Sequence, residues 1–178
     1  LDQVSRLHGI QSWMALPEGQ EEIEPAFVHT PAAELPEITR DGATIRIIIG
    51  EAFGEVSPVQ AYSRTLYLDC RLPAGSTFTL PDGYAEIAFY VASGQVITEG
   101  VDVPEGTMIV PGAGMNVRLQ AAEDSRVMVV GGERLGRRRM WWNFVSTSAA
   151  RIEQAKRDWR SGAFGAVPGD DQFIPLPE

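Results

Sequence analysis

The sequence predicts an all-β protein, a jelly-roll barrel or sandwich followed by one C-terminal helix and an extended tail. From residue 41 to 133, short apolar alternations recur between Gly, Pro and Asp-Gly turns, the spacing of strands in a closed β structure. No segment of helical period interrupts that run, which argues against an α/β nucleotide-binding architecture. The pattern changes once, after Gly131-Gly132, where residues 148–162 take up the repeat of an amphipathic helix.

The elements follow in order. HGIQSWMALP (8–17) reads as one strand ended by Pro17, with Ile10, Ser12, Met14 and Leu16 on one face and Gln11, Trp13 and Ala15 on the other. An acidic connector follows, broken by Pro25, Pro31 and Pro36, in which AFVHT (26–30) predicts a short edge strand. ATIRIIIGEA (43–52) alternates and then becomes continuously apolar, as for a strand covered on both faces. TLYLDCRL, STFTL, YAEIAFYVA, QVITEG, TMIVPG, MNVRLQA and RVMVVGG supply the remaining strands. In the helix, Ile152, Ala155 and Trp159 share a face, Ser146 or Thr147 is the expected N-cap, and Gly162 is the stop. Ala149 and Ala150 leave the capping box incomplete. The tail AVPGDDQFIPLPE (166–178) has three prolines and no regular structure. Its Phe173, Ile174 and Leu176 predict an extended segment laid over an apolar surface. The expected organisation is a strand plus connector at 1–40, a barrel at 41–133, and a helix with tail at 134–178.

Bulk properties narrow the function classes. The 178 residues are 44% hydrophobic and 22% charged, an ordinary globular composition. No apolar run approaches the roughly 18–20 residues that span a bilayer. A net charge of −9 repels a polyanion, which argues against nucleic acid as a partner despite Arg137-Arg138-Arg139. The single cysteine, Cys70, cannot form an internal disulfide, so a reducing cytoplasmic location is expected. Its apolar strand context predicts a small core residue. The chain opens on Leu1, and LDQVSRLHGI lacks the pattern of a signal peptide, so a segment upstream of Leu1 is expected.

Little in the chain carries catalytic chemistry. The two histidines, His8 and His29, fall on a strand start and a connector, where imidazole metal sites with three or more ligands are not built. His8 with Glu18, Glu21 or Glu24 is the one combination that sequence allows, on a solvated loop. No P-loop, GxGxxG or GxSxG is present. In YAEIAFYV, Tyr84, Glu86, Ala88 and Tyr90 share one face and Ala85, Ile87, Phe89 and Val91 the other. If that first face lines the barrel, Glu86 and Tyr90 are pocket groups; the expectation is that it meets solvent, because antiparallel sheets commonly wet one face. Trp141-Trp142, beside the three arginines, could stack on a flat ligand, but the expectation is packing, with one ring turned inward. No catalytic, cofactor-binding or metal-ligating residue is assigned.

Two stretches resemble the skeleton of the cupins, LPAGSTFTLPDGYAEIAFYVASGQV (72–96) and GVDVPEGTMIVPGAGMNVRL (100–119). Cupin enzymes hold a metal there through a His-x-His pair, a Glu and a third His. Here the first positions read Pro81-Asp82-Gly83, the late His position falls near Ile109, and Glu86 lies close to the Glu position. The flanks narrow the resemblance. RRRMWWNFVSTSAARIEQAKRDW with PGDDQFIPLPE, GIQSWMALP, GEAFG…SPV…TLYLDCRLPAG and MVVGGERLG are similar to segments of the pirins, two-lobed cupins (bicupins). The resemblance implies a C-terminal lobe without metal, preceded by the end of an N-terminal lobe. An iron-class metal held by three histidines and a glutamate would belong to that N-terminal cupin lobe, upstream of Leu1, and no position here inherits a ligand role. It further implies a scaffold or interaction surface for the metal-bearing lobe. Full-length relatives imply quercetin 2,3-dioxygenase-type activity or redox-responsive binding to transcription factors or metabolic enzymes. The strand at 8–16 is expected to pair with the barrel or with a second copy of the chain, and a further expected partner is a protein that meets Arg137–Trp142.

Overall fold

Alternation along the strands supplies the inner faces of two sheets. The computed structural model describes residues 8–112, 114–166, 168–170 and 172–177. Ala113, within the second cupin-like stretch, residues 1–7, and Val167, Asp171 and Glu178 of the tail lie outside the described residues. The strands are β1 (Glu37–Arg40), β2 (Ala43–Ile49), β3 (Glu51–Ala52), β4 (Glu55–Val56), β5 (Thr65–Leu72), β6 (Thr77–Thr79) and β7 (Glu86–Ser93). They continue as β8 (Gln95–Thr98), β9 (Val101–Pro104), β10 (Met108–Ile109), β11 (Arg118–Ala121), β12 (Ser125–Gly132), β13 (Arg139–Trp141) and β14 (Phe144–Ser146). The helix α1 spans Ala149–Ser161.

By its contacts the chain divides into two compact units. The first is Ile23–Arg134. The second joins the residues through Glu22 to those from Leu135 onward.

In the first unit a six-stranded sheet, ordered β1-β2-β5-β12-β7-β10, and a four-stranded sheet, ordered β6-β11-β8-β9, share one apolar core. All the pairings are antiparallel. The large sheet contributes Ile45, Ile47, Leu68, Phe89, Val91, Val127 and Val129. The small sheet contributes Phe78, Val96, Val103 and Leu119. In β5, Leu66, Leu68, Cys70 and Leu72 are buried on the core side, while Arg71 on the other side is exposed. Asp69, also on that outer side, is nonetheless buried. Both its carboxylate oxygens accept from Arg126 at 2.8 Å. Glu37 accepts from Arg46 at 2.7 Å and Arg71 at 2.6 Å, linking three strands across the same face. The all-β, cupin-type expectation is met.

The turns explain the tight registers. Asp41-Gly42 and Glu99-Gly100 each close a two-residue hairpin with both φ angles positive, the I′ geometry that matches strand twist. Gly50 is required for a second reason. Its φ is 87°, and a Cβ there would collide with the Thr65 carbonyl oxygen.

Three local expectations are corrected. Residues 8–16 form no strand within the chain, because a strand exists only where a neighbour pairs its backbone groups. AFVHT (26–30) is likewise irregular, and Phe27 and Val28 are exposed. The N-cap is Ser148 rather than Ser146 or Thr147, its side chain accepting from the Arg151 N–H. Ser146 and Thr147 are engaged elsewhere, as shown below. Gly162 ends α1 in the left-handed region with φ 72°, as expected. No helix among the described residues is long and apolar enough to cross a membrane.

Candidate functional site

Two places invite function, the cupin-like frame in the first unit and the aromatic, charge-rich second unit. At the frame, Pro81, Asp82 and Gly83 lie in the loop between β6 and β7, with Asp82 and Gly83 exposed. Ile109, Ile87, Tyr84 and Phe53 are partly buried and pack against the core. Ile87, Phe89 and Val91 take the core side of β7, which leaves Glu86 and Tyr90 on the opposite side. Glu86 is 62% exposed and pairs with Arg134 at 3.1 Å. Alternation grouped it with Tyr90, and of the two faces open to that pair the structure gives the outer one. The role of Arg64 was not legible in the sequence. Its guanidinium lies 4.9 Å from the Tyr84 ring centre and 3.3 Å from Glu51, while the Tyr84 hydroxyl donates to the Glu51 carbonyl at 2.8 Å. Nothing local marks that cluster, because its members are brought together by pairing between distant strands.

These residues do not fit the metal that the fold family implies. Among the described frame residues the hard donors are Asp82, in solvent, and Glu86, which faces outward and pairs with Arg134, while the interior is filled by aliphatic side chains with Phe78, Phe89 and Cys70. Cys70 is fully buried, and burial, with the charge of Asp69 adding to it, pushes its thiol up. A metal would need the thiolate. Among the described residues no three His, Cys, Asp or Glu gather in a metal-holding group. His8 and His29 are both exposed.

In the second unit the segment 16–22 is fastened to the C-terminal residues. Glu21 accepts from the Ser146 hydroxyl (2.8 Å), the Thr147 N–H (3.0 Å) and the Thr147 hydroxyl (3.1 Å), with Arg138 Nε at 3.3 Å. Burial alone would raise the Glu21 carboxyl. The hydrogen bonds from Ser146 and Thr147 and the charge of Arg138 outweigh it and hold Glu21 below its ordinary value. Arg138 also donates to the Leu16 carbonyl at 2.9 Å, and Arg151 to Glu22 at 2.6 Å. Glu21, considered as a metal ligand from sequence, is thus a structural tie.

Beside the tie lies an aromatic cluster. The Trp142 ring meets Trp159 edge-on at 5.0 Å and Phe144 edge-on at 5.8 Å, Trp141 stacks on Phe144 at 6.3 Å, and Phe164 stacks on Phe144 at 5.9 Å. Lys156 sits 4.2 Å over the Trp141 ring. The tryptophan pair therefore packs, but neither ring alone is turned inward: both are half-buried in the cluster. Trp142 reaches its place with φ 51°, a conformation side chains rarely adopt, held by the rings around it. Met140 remains 70% exposed, and Arg137 and Arg139 point no charge at a carboxylate among the described residues.

A double antiparallel sheet with this turn pattern and an apolar interior defines a cupin lobe lacking the usual ligand set. The comparisons sharpen the class to a family. Residues 67–165 match the Pirin C-terminal cupin domain. The chain is 46% identical over 175 residues to a pirin-like protein of Caulobacter vibrioides, covering 97% of this chain and 61% of that protein. It is 30% identical to pirin of Homo sapiens, covering 89% of this chain and 57% of the relative. A crystal structure of quercetin 2,3-dioxygenase from Acinetobacter baumannii superposes with a TM-score of 0.84 at 25% identity, over 93% of this chain and 57% of that one. This chain belongs to the pirin family, and it spans about three-fifths of the length of these relatives.

Proposed function

We propose that this chain serves as the metal-free lobe of a pirin-type bicupin, acting as scaffold and interaction surface for a metal-bearing cupin lobe. The observation that carries this reading is the apolar filling of the cupin frame, where Ile109 and Pro81 stand at positions that would have to donate. Elemental analysis of the purified chain tests it. The expected result is far less than one equivalent of transition metal after equilibration with iron or nickel. A near-stoichiometric metal that survives desalting would sink the proposal.

A second reading is favoured by the similarity to the Acinetobacter quercetin 2,3-dioxygenase. In it the chain supplies packing to a dioxygenase whose metal lies in the other lobe. Co-expression with the portion of the Caulobacter relative that this chain does not cover separates the two. Quercetin-dependent oxygen uptake that requires both pieces supports the enzyme reading, and uptake by neither piece nor their mixture counts against it. A redox-responsive partner role finds no support at Cys70, whose buried thiol is neither accessible nor readily ionised.

A further inference from the structure

The tail lies on the aromatic cluster as a peptide lies on a receptor. The Trp159 indole N–H donates to the Ile174 carbonyl at 2.8 Å, and the Phe173 ring sits 6.1 Å from the Trp159 ring. Those two anchors hold it lightly, since Phe173 and Ile174 remain 61% and 64% exposed. Phe164, at the same cluster, is exposed as well. Prolines 168, 175 and 177 favour an extended backbone and lower the entropy lost on docking.

Charge follows the same division. From 135 to 165 the chain carries seven Lys and Arg against two Asp and Glu, within a protein of net charge −9. From 168 to 178 it carries three acidic residues and no basic one. Arg157 and Arg160, on the helix that bears Trp159, are exposed and make no close ion pair among the described residues, although Arg157 donates to the Gln154 side chain at 2.6 Å and both contribute to the field at Glu153. Arg139 shares the face of β13 with Trp141.

We propose that this arginine-rimmed aromatic face is a docking surface for an acidic, extended peptide carrying an aromatic–aliphatic pair followed by proline. The chain's own tail is its resident occupant, displaced when a partner binds. The indole N–H sets the register through one backbone carbonyl, the rings take the apolar pair, and the arginines steer the acidic flank. A tethered tail competes at an effective concentration in the millimolar range, so the partner must bind more tightly than the tail does. The inference does not depend on the metal-lobe reading.

The probe is a fluorescein-labelled peptide of residues 168–178, followed by anisotropy on the full chain and on the full chain carrying F173A and I174A. The tail variant is expected to bind it about 10-fold or more tightly than the parent, because the competing occupant is gone. Adding R157E and R160E, or Trp159→Phe, is expected to weaken that binding about 5-fold or more, with α1 intact by circular dichroism. In the unaltered chain, excess peptide is expected to speed proteolysis of the tail. Equal binding by parent and tail variant, no binding by a folded tail variant, or tail cleavage indifferent to peptide would each overturn the proposal. So would a parent of doubled mass in light scattering that reverts to monomer in the tail variant without binding peptide, since the occupant would then be a second copy.

Discussion

The unit from Ile23 to Arg134 and the unit built from the two ends of the chain are stabilised by different physics. In the first, interdigitated aliphatic side chains are withdrawn almost completely from water, and polar pairs such as Asp69–Arg126 are confined to the outer face of a sheet. In the second, a half-exposed aromatic cluster, one helix and an irregular segment are joined through the Glu21 carboxylate and its donors. Burial scales with area, and the few polar residues buried in the first unit, such as Asp69 and Ser125, have hydrogen-bonding partners. Directional hydrogen bonds and ring edges leave surface free, so the second unit keeps Met140, Phe164, Phe173 and Ile174 exposed.

That contrast is best broken by attacking each unit where it is strongest. Phe89→Ala removes the largest fully buried side chain and is expected to destabilise the first unit by about 3–5 kcal/mol, read as a lower urea midpoint at constant slope. A loss below about 1 kcal/mol would mean that the core is looser than its burial implies. Glu21→Ala strips the acceptor from the Ser146 and Thr147 donors and the facing charge from Arg138, and is expected to cost about 2 kcal/mol in the second unit, seen in near-ultraviolet circular dichroism of the tryptophans.

The same tie predicts a pH dependence. The folded Glu21 titrates below its ordinary value of 4.5, so its contribution is complete above that pH and drains as pH falls through the lower folded value. The tryptophan signal of the parent should therefore weaken in acid, and Glu21→Gln should flatten the part of that change that Glu21 causes. An unchanged acid profile would remove Glu21 from the tie. Ser148→Ala deletes the α1 N-cap and is expected to cost about 1 kcal/mol, read as a loss of helical signal. Glu86→Gln, at an exposed pair, is expected to change stability by no more than about 0.5 kcal/mol, and a larger effect would mean that this side chain is covered in solution.

Much of the fold was readable because strand alternation and turn chemistry are local. TLYLDCRL coincides with β5 residue for residue, and Gly162 ends α1 where a left-handed stop was expected. Period two put Glu86 and Tyr90 on one face, and the structure decided that this face lies away from the core. The failures share a cause. HGIQSWMALP alternates like a strand, but alternation records which side chains can share a face and says nothing about whether a neighbouring strand is available. Ser146 and Thr147 are good caps in isolation and were diverted by Glu21, 125 residues away in sequence from Ser146.

What the sequence determined by itself was the β-rich fold class with its one C-terminal helix, and, through the resemblance of its motifs, the family. Strand alternation and residue type at a turn are local and suffice for the first, and the matched motifs suffice for the second. Only the tertiary structure decided that Glu21 is a tie rather than a ligand, that Arg64 stands over Tyr84, and that the tail is anchored on Trp159. Each of these depends on groups far apart in the chain arriving within hydrogen-bonding or ring-contact distance, and no local pattern encodes such a meeting.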